Sequence, residues 1–283
     1  MSRSRALLLV TAATVVWGAT FTVVKSALAD SGPLTFLALR FLLASALVVA
    51  VACGRRSLAP TRWSLACGAA LFAGYVMQTI GLATTTPARS AFITAIAALL
   101  VPMAEPLFGV NRLSVRVLAG GGLALGGLAL LLQPEAGTVA VGDILTFGCA
   151  LAFAAHVVLL QVAVRQEPVA RVNAVQVLVA AALAVPAASL EGWRCAPSLR
   201  LGAALLVTAG LATVAAFWAL TAAQRALSAA EASVVLAFEP VAAAVVSTLL
   251  GYDPVTGGLV AGGSLVVGGV LLATARRGSR RGS

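Results

Sequence analysis

The stretch LAGGGLALGGLALL, residues 118–131, is answered further along the chain by VAGGSLVVGGVLLA, residues 260–273. Gly120, Gly121, Gly126 and Gly127 fall on Gly262, Gly263, Gly268 and Gly269, an offset of 142 (260 − 118). The same offset carries Leu107 and Gly109 onto Leu249 and Gly251. Earlier in the chain an offset of 136 places Trp17 on Phe153, Thr20 on His156, Lys25 on Gln161 and Arg40 on Gln176. The six-residue difference falls around Glu191–Pro197. Matches of Ala on Ala are cheap in so apolar a sequence, but paired double glycines are not. The chain reads as one unit used twice.

Of the 283 residues, 61% are hydrophobic and only 10% are charged, against about 25% charged in a soluble domain. That leaves too little polar surface to cover a globule in water. Apolar runs of about 20 residues, each long enough to cross ~30 Å of hydrocarbon as a helix, recur along the whole length. They fall roughly at 6–26, 34–53, 64–83, 88–108, 114–132, 142–163, 170–189, 200–221, 229–250 and 255–274. Turn-forming residues separate them: Asp30-Ser31-Gly32-Pro33, Arg55-Arg56, Thr86-Pro87, Gln133-Pro134-Glu135, Gln166-Glu167-Pro168, Ala196-Pro197 and Asp253-Pro254. The expected fold is an all-α polytopic membrane protein of ten spans in two repeats, 1–135 and 136–283. Five helices is an odd number, so the second repeat enters the membrane inverted. That is the architecture of secondary transporters, whose cargo site lies between the repeats at interrupted helices. The amino-terminal MSRSRALLLVTAATVVWGAT could pass for a secretion signal. It runs on to Val24 without a small-x-small exit, however, and its counterpart lies at 136 positions' distance.

The net charge of +10 comes from 18 Arg and Lys25 against nine acids. These cations are scattered in twos and threes between apolar runs, so no nucleic-acid partner is expected. With the amino terminus inside, the inner segments hold Arg3, Arg5, Arg55, Arg56, Arg62, Arg112, Arg116, Arg165, Arg171, Arg225, Arg276, Arg277, Arg280 and Arg281. The outer ones hold Lys25, Arg89, Arg194 and Arg200; Arg40 lies within a span. Fourteen against four puts both termini in the cytoplasm of a cell (inner or plasma) membrane protein. The four cysteines form no C-x-x-C pair, so neither a disulfide framework nor a metal site is indicated, and no cofactor is expected.

Glu239 and Pro240 interrupt the apolar run LAFEPVAAAVV, residues 236–246. An ionised acid facing lipid at mid-span costs at least ~2.5 kcal/mol, so it should face protein or a wet cavity. It is either a carboxylate near cargo or a coupling proton, or a structural acid bonded to a neighbouring helix. Pro102 and Pro240 are the expected helix breaks. Arg40 sits two turns into the second span; it pairs Glu239, holds the carboxylate of a cargo, or snorkels to the interface. Trp17 and Thr20 share a face of the first span. His156, the only histidine, stands at the equivalent place in the sixth, as a proton relay or a bonded core residue, with Gln176 matching Arg40. Tyr75 and Gln78, with Phe217 and Trp218, supply a lining of rings and amides or simple packing. Arg89 opposes the dipole at the start of the fourth span and is the candidate outer gate. Gly122-x-x-x-Gly126 and Gly258-x-x-x-Gly262 read as close helix packing in a scaffold or a homodimer contact.

Four segments also resemble a known family: WGATFTVVKSAL (17–28), LALRFLLAS (37–45), QTIGLATTTPARSAFITA (78–95) and RALSAAEASVVLAFEPVAAAVVSTLLG (225–251). They are similar to the EamA family of the drug/metabolite transporter superfamily. The resemblance implies a ten-helix inverted-repeat carrier that moves small metabolites, often amino acids, outward; a monomer or a homodimer is expected. Family members often end spans 4 and 9 with Gly-Glu-Arg; here the residues are Gly109-Val110-Asn111-Arg112 and Gly251-Tyr252-Asp253. Glu105-Pro106 is a further departure. A channel or a membrane scaffold is the alternative. An intramembrane enzyme would need a nucleophile and base, but G-x-S-x-G, H-E-x-x-H and G-x-G-D are all missing from the sequence. No phosphate-binding loop is present either, so proton coupling or exchange is the expected driving force.

Overall fold

The computed structural model describes residues 1–52, 60–82, 84–133, 138–249 and 254–275. Cys53, Arg55, Arg56, the repeat boundary at 135/136, Gly251 to Asp253, and the arginines at 276, 277, 280 and 281 lie outside the described residues. Among those described, all regular structure is helical, apart from one isolated bridge between Ser31 and Cys195. A backbone surrounded by hydrocarbon must satisfy its own polar groups, and a helix does so within one segment.

Span 1 is Arg3–Ala27, span 2 Pro33–Ala52 and span 3 Arg62–Gly81. Span 4 comes in pieces: Pro87–Ala95, Ala97–Ala104 and a 3₁₀ turn at Glu105–Phe108. Span 5 is Val115–Leu132, span 6 Val141–Gln166 and span 7 Val169–Glu191. Span 8 runs from Leu199–Val207 through a π-helical segment, Thr208–Ala215, into Ala216–Ala223. Span 9 is Ala229–Leu236 followed by Glu239–Leu249, and span 10 is Gly257–Thr274. Among the described residues, ten helices are long and apolar enough to cross a membrane. Side-chain caps start several of them: Thr61, Thr86, Ser198, Ser228 and Thr256 each accept a hydrogen bond from a first-turn N–H.

Apolar side chains gain little by leaving lipid for one another, so close backbone approach carries helix association here. Spans 5 and 10 show this most plainly. A Cβ on Gly127 would stand 2.5 Å from the Gly262 carbonyl oxygen, and one on Gly120 would stand 2.6 Å from that of Gly269. The two helices run antiparallel, touching through glycines seven residues apart. Gly122 and Gly126 take no part in this seam, since nothing lies within 4 Å of a Cβ at either of those positions, which leaves the homodimer contact as the reading of that pair. Both face outward. On span 10, Gly258 and Gly262 do meet span 5.

The bundle has two ends. At the end carrying Arg3 and Thr274, here the terminus face, Arg3 forks onto Glu231 at 2.8 and 3.1 Å. It also reaches the Thr274 carbonyl at 2.8 Å. Buried Glu105 accepts from the Asn111 amide at 2.8 Å and from the Ala230 N–H at 3.1 Å, at the start of span 9. Gln161 accepts the neighbouring Ala229 N–H at 2.5 Å. At the opposite, distal face, Arg89 pairs with Asp143 at 2.5 Å, and Thr85 donates to the same carboxylate. The two loops there are also laced together. Gly32 N–H donates to the Arg194 carbonyl and Ala196 N–H to that of Asp30, both at 2.7 Å. The Arg200 guanidinium grips Asp30, and Glu191 caps span 2 through the Thr35 N–H at 2.8 Å and hydroxyl at 2.7 Å.

The faces differ in one respect. Ala97–Ala104 of span 4 packs on Ala229–Leu236 of span 9 near the terminus face. Among the described residues, the distal halves, Pro87–Ala95 and Glu239–Leu249, do not form a packed pair. The two broken spans therefore part toward the distal face.

Candidate functional site

A cavity of about 140 Å³ lies at the centre of the bundle, large enough to hold several waters. Spans 1, 3, 4, 6, 8 and 9 line it, together with Arg40 from span 2. None of its lining residues comes from span 5, 7 or 10.

Span 9 brings its acid there through a break. The helix stops at Leu236 and resumes at Glu239. Pro240 has no N–H for the Leu236 carbonyl, and its ring crowds that turn, so the interruption falls just ahead of the proline. Gly18 of span 1 backs the break, since a Cβ there would stand 2.6 Å from the Glu239 carbonyl oxygen. The Glu239 side chain is thus held on the cavity wall. Among the described residues its carboxylate has no hydrogen-bond or ion-pair partner, so it does not pair with Arg40.

Arg40 lies about 10 Å below the start of span 2 and is buried. Its Nε donates to Thr213 Oγ1 at 2.8 Å and its Nη2 to the Tyr75 hydroxyl at 3.0 Å. The guanidinium carbon sits 4.5 Å from the Tyr75 ring centroid, a cation–π contact. Among the described residues Nη1 has no partner. These bonds offset the ~2.5–3.5 kcal/mol of placing an arginine within the bilayer.

Rings form the rest of the wall. Trp17 meets Phe217 at 5.0 Å between centroids, and Tyr75 packs edge-on against Phe41, Phe153 and Phe217. The Trp17 indole N–H donates to the Ala212 carbonyl at 2.7 Å. That carbonyl belongs to the π segment, whose wider turns leave carbonyls open to side chains. In the same segment Thr213 donates back five residues to Thr208. Sequence reasoning missed this segment and its Thr213, as well as Thr94 and Ser233 on the cavity wall. The five-residue spacing of Thr208 and Thr213 is the one signal that could have raised it.

Trp17, Thr20, Arg40, Tyr75, Gln78, His156, Glu239 and Pro240 all line the cavity. Gln176 does not; it stands behind His156, bonded to the ring at 2.8 Å. Trp218 requires a correction. It is 47% exposed on the outside of the bundle, and Phe217, 4% exposed, takes the inward place. Successive helical residues point about 100° apart, so only one of the two rings can face in. Pro102 also requires one, because it sits buried inside an unbroken helix and span 4 is interrupted at Ile96. Pro102 leaves the carbonyl of Ala98 without its N–H, yet the helix runs on through both residues. Arg89 lies outside the cavity, in its ion pair with Asp143.

The model of the EamA-like transporter family matches this chain twice, over residues 4–133 and 140–275. The chain belongs to the EamA-like transporter family. An uncharacterized transporter of Archaeoglobus fulgidus is 32% identical over 150 residues, 52% of this chain. The match spans 46% of that relative's length. A solved structure described as a crystal structure of a protein superposes with a TM-score of 0.82 at 23% identity, covering 96% of this chain and 97% of its own. That likeness concerns the fold alone. EamA membership and ten apolar helices mark a multi-pass membrane protein of a transporter family.

Proposed function

We propose that the protein exports small metabolites, amino acids or their relatives, across the cytoplasmic (inner or plasma) membrane by alternating access, coupled to protons or to exchange. The carrying observation is the Glu239 carboxylate, set at a helix break on the cavity wall with no partner among the described residues. Arg40, whose Nη1 has no partner among the described residues, faces the same space. An acid and a base in one ring-lined cavity suit a solute that carries both an ammonium and a carboxylate. The acid can alternatively take a proton when cargo is absent, which couples the two. The arginine bias supports a cytoplasmic location for both termini, and on that reading the distal face is the external one. On this reading 1–135 and 136–283 are the two units that rock against each other.

The test uses purified protein in lipid vesicles with labelled amino acids, an imposed pH gradient and a counterflow arm. Glu239→Gln keeps shape and cannot ionise. It should insert normally and retain exchange of solute for solute, while gradient-driven flux falls about tenfold or more. Parent-like flux in Glu239→Gln at every pH would make the acid structural.

A further inference from the structure

His156, Gln176 and Asn173 are all buried and joined in a string that ends on the π segment of span 8. Asn173 Nδ2 lies 3.4 Å from the Val214 carbonyl oxygen, and a carbonyl only accepts. Asn173 must therefore donate there, which turns its Oδ1 toward Gln176 Nε2 at 3.1 Å. Gln176 in turn presents Oε1 to His156 Nε2 at 2.8 Å. Flipping either amide would set two N–H groups or two oxygens against each other. The direction of the string is thus dictated from its far end, and it requires a hydrogen on Nε2. In an uncharged imidazole the bare nitrogen is then Nδ1. Among the described residues no donor reaches it, and His156 lines the central cavity.

We infer that Gln176 and Asn173 are positioning residues that lock the His156 tautomer, leaving Nδ1 as a hydrogen-bond acceptor that selects cargo bearing an N–H or O–H donor. The inference rests on reading the cavity as the cargo site. It assigns opposite roles to equivalent places in the two repeats. Span 2 offers the Arg40 guanidinium as a donor, while span 7, through Gln176 at the matching position, props up an acceptor. It also argues against a proton relay through His156, because amide side chains hold no proton they can pass on. A cargo without a donor would leave Nδ1 buried and unmatched, the situation that polar sites reject most strongly.

His156 is the sole histidine, so protein labelled with ¹⁵N-histidine gives one imidazole signal pair. In nanodiscs at about pH 7.5, where an ordinary imidazole is mostly uncharged, the parent should show the Nε2–H tautomer and a bare Nδ1. Gln176→Met, matched in size and without the amide, should yield a mixture of both tautomers. Asn173→Leu should do the same more weakly, and a thermal melt of each variant confirms that it folds. Amino acids that the parent carries in vesicles should move the Nδ1 signal, and His156→Leu should lower their flux about tenfold or more. An Nδ1–H tautomer in the parent overturns the inference, as does an unchanged tautomer in folded Gln176→Met. Flux in the parent with an unmoved Nδ1 signal overturns it alone. Absence of flux for all twenty amino acids sinks the cargo reading, and the inference with it.

Discussion

Gly127→Ala tests the antiparallel seam between spans 5 and 10. The added Cβ would stand 2.5 Å from the Gly262 carbonyl oxygen and 2.8 Å from the Val266 nitrogen. Both are backbone atoms, so no side chain can swing aside. Restoring a van der Waals separation of 3.4 Å requires the helices to part by 0.9 Å (3.4 − 2.5). A gap of that size forfeits about a quarter to a half of the dispersion energy of every atom pair along the seam. Overpacking of this kind costs about 1–3 kcal/mol, and we expect a loss near the middle of that range. Gly126→Ala, one residue along, is the control: nothing lies within 4 Å of its Cβ, and alanine is the better helix former by up to ~1 kcal/mol. Reversible unfolding in mixed micelles of increasing denaturing-detergent content reads both. Equal stability of the two variants, or a Gly127→Ala change under about 0.5 kcal/mol, would refute the seam.

The remaining expectations concern the two faces. Arg3→Glu sets two acids together at the terminus face and should expose a Ser233→Cys probe on the cavity wall to thiol reagents from that side. Adding Glu231→Arg should partly reverse this, partly because Glu231 also closes the capping box of span 9. At the distal face, hydrogen bonds from Arg200 and then Ser198 hold Asp30 from 3.8 down to about 2. Its carboxyl titrates lower in the folded than in the unfolded chain, so the stability it lends is complete above about 3.8 and is lost as pH falls toward about 2. The melting difference between parent and Arg200→Gln should therefore be constant from neutral pH to about 4 and shrink below it. A difference that grows on acidification would contradict the pair.

The number of spans and most of the cavity wall were legible because both are written in periodicity. Trp17 and Thr20, or Tyr75 and Gln78, share a helix face whatever lies opposite. Rotational phase is harder to read. Phe217 and Trp218 are adjacent rings, and only the packing of span 8 against span 1 decides which one turns in. The glycines of span 5 offered two seams, and the chosen one depends on where span 10 places its own. The π segment left almost no trace, since its sequence, TAGLATVA, suits an ordinary helix equally well. Its effect is nevertheless large, because Trp17, Arg40 and Asn173 all bond within it.

The ion pairs at the two faces carry a record of ancestry. Span 1 meets span 9 through Arg3–Glu231, and span 6 meets span 4 through Asp143–Arg89. Spans 1 and 6 are equivalent, as are 4 and 9, so the two contacts are the same joint with its signs exchanged. Both cations come from the first repeat and both anions from the second. Two copies of the first repeat joined in the same way would bring Arg3 against Arg89 at each face, and two copies of the second would bring Asp143 against Glu231. Like charges at a symmetric joint repel twice over. Each half is therefore a poor partner for itself and a good one for the other, an arrangement open to the duplicated unit only once its two copies had diverged.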